Sequence, residues 1–71
     1  MKKLFYGPEV VIHFKTGTKL RVMTTEYFFQ DFVAEFKDEE LSSFAIRDCL
    51  EDKLYFISKQ HVLCIEVIRE E

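Results

Sequence analysis

The sequence predicts a small α+β domain: an antiparallel sheet of four or five strands with one amphipathic helix on one face, in the order β-β-α-β-β-β. Three observations lead there. Residues 25–36 hold four phenylalanines and a tyrosine in one stretch, and Phe28, Phe29, Phe32, Val33 and Phe36 recur at three- and four-residue spacings. The segments on either side alternate with a period of two. Short turn signals separate the alternating segments, which favours antiparallel pairing.

The elements follow in order. Glu9 to Lys15 reads as a strand with Val10, Ile12 and Phe14 on one face. Thr16-Gly17-Thr18 is the turn, and Gly17 is the residue able to take a positive φ. Lys19 to Met23 returns with Leu20 and Val22 inward. Thr24 or Thr25 caps the helix, and Glu26 suits the positive end of its dipole. Asp38, Glu39 and Glu40 are unfavourable at the other end of that dipole, so the helix stops near residue 38. After a loop at Ser42-Ser43, Phe44 to Arg47 resumes alternation, and residues 50–53 form a turn. Leu54 to Ser58 and Val62 to Ile68 are the last two strands, joined by Lys59-Gln60-His61. In the final strand Leu63, Ile65 and Val67 are expected to face the helix.

Seventy-one residues form one domain, 1–71, with 1–8 and 69–71 as frayed ends. A chain this short buries roughly 60% of the surface its unfolded form exposes, so a partner subunit is a natural source of further stability. The aromatic share of 15% is high for so small a core, which leaves rings at the surface. A net charge of −3 lacks the basic excess of an electrostatic nucleic-acid binder. Met1-Lys2-Lys3 imitates the start of a signal peptide, but Gly7, Pro8 and Glu9 interrupt it. Apolar runs reach four residues at most, far below a membrane span. Cys49 and Cys64 fit no disulfide framework, and a cytoplasmic protein with reduced thiols is expected.

With the helix on one sheet face, the other face is open. Val11, His13, Arg21, Met23, Tyr55 and Ile57 are placed there, a mixture too apolar for a solvated surface and too charged for a second core. Contact with a second copy or another protein accommodates both properties, so these six are the candidate protein interface of a non-enzymatic interaction module. Asp31, Glu35, Asp38, Glu39 and Glu40 form the strongest charge feature. Such a surface suits an acidic inhibitor that imitates nucleic-acid phosphates, although helix exteriors are ordinarily charged. A second alternative is a weak single-strand binder using Lys15, Lys19, Arg21 and Tyr55, with cations for phosphates and a ring for stacking. The same residues are ordinary on the outside of an amphipathic hairpin, and neither nucleic acid nor a membrane is expected as a partner.

Catalytic and cofactor chemistry find little foothold. Cys49, His61 and Cys64 are ligand types that zinc favours, but no Cys-x-x-Cys knuckle is present, so no metal or other cofactor is expected. With Gly7 and Gly17 the only glycines, no phosphate-binding loop can be built, and no nucleophile elbow occurs. Asp48 and Cys49 could be drawn with His13 or His61 as nucleophile and base, but no spacing places them together; no enzyme is expected. The run from the Lys15-Thr16-Gly17 hairpin through the aromatic helix to Tyr55-Phe56-Ile57-Ser58 and Val62-Leu63-Cys64-Ile65-Glu66 resembles small proteins of bacterial phages and mobile elements. That resemblance implies an origin and assigns no residue a role.

Overall fold

A computed structural model describes residues 7–69. Its elements are β1 (Glu9–Phe14), β2 (Lys19–Met23), α1 (Glu26–Lys37), β3 (Ser43–Asp48), β4 (Lys53–Ser58), a single 3-10 turn (Lys59–His61) and β5 (Val62–Ile68). The α+β class and the element order are those read from the sequence. The five strands are divided between two antiparallel sheets, β2-β1-β5 and β3-β4.

In the first hairpin the Gly17 amide donates to the Phe14 carbonyl at 2.9 Å, and the φ of 100° at Gly17 turns the chain back so that the Thr18 carbonyl accepts the Phe14 amide, also at 2.9 Å. Thr25 is the N-cap of α1, its hydroxyl accepting the Phe28 amide at 3.2 Å. The helix ends at Lys37, where Asp38 turns extended. Phe29 and Phe32 from α1 meet Val10, Ile12 and Val22 from the first sheet and Phe44, Ile46 and Ile57 from the second in one core. Each such side chain contributes about 1.5–3 kcal/mol by leaving water.

The division into two sheets is made where β2 ends. Among the described residues one backbone bond links β2 to the end of β3, from the Cys49 amide to the Met23 carbonyl at 2.7 Å. Beside it the buried Asp48 carboxylate accepts the Met23 amide at 3.3 Å, and it also accepts the Leu50 amide at 3.1 Å. Thr24 then leads the chain into α1, and a helix side chain takes over further along the edge of β3: Glu35 accepts the Ala45 amide at 2.8 Å. The outer edge of β3 is thus shared between β2 and α1.

Gly7 and Pro8 are tied down, in contrast to the frayed end expected for 1–8. Thr24 donates both its amide and its hydroxyl to the Pro8 carbonyl, at 3.2 and 2.8 Å, and the Gly7 amide donates to the Thr24 carbonyl. Residues 1–6, including the stretch that imitates a signal peptide, and residues 70–71 lie outside the described residues. Arg69 pairs with Glu26 at 2.7 Å, so the described end of the chain is held at the start of α1.

Two expectations about strand faces are corrected. In β4, Ile57 is 7% exposed within the core and Tyr55 packs against it, while Leu54 and Phe56 point outward. The pairing explains this phase: Ile57 lies opposite Phe44 and Tyr55 opposite Ile46, and directly opposed residues share a face. In β5, the register shifts between His13, opposite Cys64, and Phe14, opposite Val62. Leu63 is the extra residue of that bulge and stands 67% exposed, whereas Val62 turns inward against the core. Ile65, opposite Ile12, packs inward as expected.

Candidate interaction surface

The six residues proposed for an open sheet face do not form one surface. Val11 is 2% exposed, and Ile57 belongs to the core. The register places Val11 opposite Arg21 on one side and Glu66 on the other, with Glu9 and His13 two residues away along its own strand. Arg21 pairs with Glu9, and the His13 imidazole lies 3.1 Å from Glu66. This charged frame surrounds Val11 in place of a continuous apolar platform. The hydrogen bond from Arg21 to Glu9 and their Coulomb attraction raise the guanidinium pKa above its ordinary value; Glu51 does the same for the Lys53 ammonium.

The cations of the single-strand reading, Lys15, Lys19 and Arg21, lie on the first hairpin without the ring that was to join them. Tyr55 sits on the other sheet and packs inward, and Arg21 is engaged by Glu9. Of the five acids, Glu35 is spent within the fold, capping the edge of β3. Asp38 is the helix C-cap, its carboxylate accepting the Glu40 amide at 3.0 Å and its carbonyl accepting the Lys59 ammonium at 2.7 Å. Asp31, Glu39 and Glu40 are exposed.

Among the described residues no group of three or more His, Cys, Asp or Glu side chains is placed to hold a metal ion. Cys49 and Cys64 are free thiols, Cys49 half-buried and Cys64 exposed. A depression of about 210 Å³, lined by Glu9, Arg21, Met23, Asp48, Leu50 and Glu51, lies where β2 meets the second hairpin. Small-molecule sites occupy about 300–1,000 Å³, so this one is undersized for a substrate pocket. No helix among the described residues is long and apolar enough to cross a membrane.

The surface that stands out instead is the outer side of β4. Leu54 is 46% and Phe56 76% exposed, two residues apart on one face, with Ala45 opposite Phe56 and Arg47 opposite Leu54. Leu50 projects from the adjoining turn. The backbone at this edge is also available. The Lys59 amide donates to the Ser42 carbonyl at 2.9 Å, which sets the phase of the β3–β4 ladder: Tyr55 and Ile57 direct their N–H and C=O groups at β3. Leu54, Phe56 and Ser58 direct theirs at the free edge, where no described strand pairs with them. The sequence contained these residues but not their phase, because Leu54-Tyr55-Phe56-Ile57 is apolar in both registers of alternation. The chain matches no family model, no curated protein sequence and no solved structure.

Proposed function

We propose that this chain is a non-enzymatic interaction module that associates with a second copy of itself. The observation that carries this is the pair Leu54 and Phe56, side by side and exposed on an unpaired edge strand. Exposed apolar side chains next to open backbone donors and acceptors are what strand-addition partners use, and monomeric proteins ordinarily blunt such edges. A cytoplasmic setting belongs to the same reading, on two cysteines carried as free thiols. The resemblance to small phage and mobile-element proteins supports an origin in such an element. Light scattering across a dilution series is the test. A mass that rises from one chain to two with concentration is expected; the mass of one chain at every concentration would overturn the proposal.

A second reading, an acidic inhibitor of a nucleic-acid-binding protein, draws on Asp31, Glu39 and Glu40, which enter no ion pair among the described residues. Its binding would weaken as salt rises, and reversing those three charges would abolish it.

A further inference from the structure

We infer that the second copy docks by antiparallel pairing of β4 with β4, with Tyr55 on the two-fold axis. The inference deepens the self-association proposed above and rests on it. Because Leu54, Phe56 and Ser58 hold the outward backbone groups, only registers that align these positions with one another form hydrogen bonds between copies. Three such registers keep the middle of the strand paired.

Centring on Phe56 sets Phe56 against itself but places Lys53 opposite Lys59, two like charges at each end. Centring on Leu54 sets the exposed Phe56 ring opposite Asp52. Centring on Tyr55 places Leu54 opposite Phe56 twice, so each exposed apolar side chain meets the other. It also brings the Glu51 turn of one copy to Lys59 of the next, an opposite-charge pair at both ends that adds to or replaces the exposed contacts Glu51 makes with Lys53 and Lys59 makes with the Asp38 carbonyl inside each copy. The strand is acidic before its start and basic after its end, which makes it complementary to itself when reversed. Apolar matching and charge matching select the same register.

The resulting sheet runs β3-β4-β4-β3 across the two copies. A two-stranded hairpin is a marginal unit, and four strands remove its open edge. In this register Leu54 and Phe56 of opposing copies exchange backbone hydrogen bonds, four in all, counted from the ladder geometry as about two per directly opposed pair.

Charge exchange tests the register. Glu51→Lys and Lys59→Glu each convert both attractive ends of a homodimer into repulsive ones, and each is expected to weaken self-association on the order of tenfold. Mixed one to one, the two variants bring the introduced lysine of one chain opposite the introduced glutamate of the other. At the far end the unchanged Lys59 of the first meets the unchanged Glu51 of the second, so both ends attract and dimers return. Both positions lie outside the core, and circular dichroism checks that each variant remains folded. Slowed amide exchange at Leu54 and Phe56 on raising the concentration of the unmodified chain is the second readout. A wild-type chain that never dimerises overturns self-association itself. A wild-type dimer whose Leu54 and Phe56 amides stay unprotected, or variants that dimerise unchanged or are not restored on mixing, overturns the β4 register alone and leaves self-association standing.

Discussion

Glu35 on the helix accepts the amide hydrogen of Ala45 in β3 at 2.8 Å, so a side chain completes the part of that sheet edge that β2 leaves open. Glu35→Ala leaves that half-buried amide without its acceptor and is expected to lower stability by about 1–3 kcal/mol. Glu35→Gln retains an acceptor and loses less. Urea unfolding reads both as a shift in midpoint with an unchanged slope.

Asp48 works the same way at the other end of that edge. Its buried carboxylate serves the amides of Met23 and Leu50, joining the two sheets and shaping the turn after β3. Asp48→Ala should cost about 1–3 kcal/mol. Asp48→Asn, with a carbonyl oxygen in place, should cost less. Amide exchange at Met23 and Leu50 would speed up in the alanine variant before global unfolding is reached.

Ile57 and Phe56 are neighbours with opposite roles. Ile57→Asp places a charge in the core, a change that removes several kcal/mol from a domain whose whole stability is about 5–15 kcal/mol, so the chain should unfold. Phe56→Asp alters a ring that is already in water and should leave the circular dichroism spectrum intact while abolishing dimers in light scattering. A stable fold in the first variant would contradict the phase of β4.

Gly7 packs against the entrance of α1. A Cβ at that position would lie 2.6 Å from the Glu26 nitrogen and 2.7 Å from the Thr25 carbonyl carbon, both backbone atoms that cannot move aside cheaply. Gly7→Ala should cost about 1–3 kcal/mol, in the range of overpacked cores. Thermal unfolding would register this as a drop of at least about 4 °C for a domain of this size.

What the sequence determined by itself is the set of elements and most of their inward faces. Ile12 and Phe14 flank His13, Leu20 and Val22 flank Arg21, and the phenylalanines of α1 recur at helical spacing, so the inward faces there are readable locally. Thr25 and Gly17 mark their boundaries by chemistry that acts within a few residues. The phase of β4 was beyond local reading, because all four residues from Leu54 to Ile57 are apolar. Tertiary pairing decided it: Phe44 and Ile46 are buried, and the residues opposite them must share their face. The bulge at Leu63 and the division into two sheets are likewise tertiary, since each depends on a partner distant in sequence: Phe14 for the bulge, Asp48 and Glu35 for the division. A strand's face follows from its neighbour as much as from its own residues, and so the exposed pair Leu54 and Phe56 emerged only once the chain was folded.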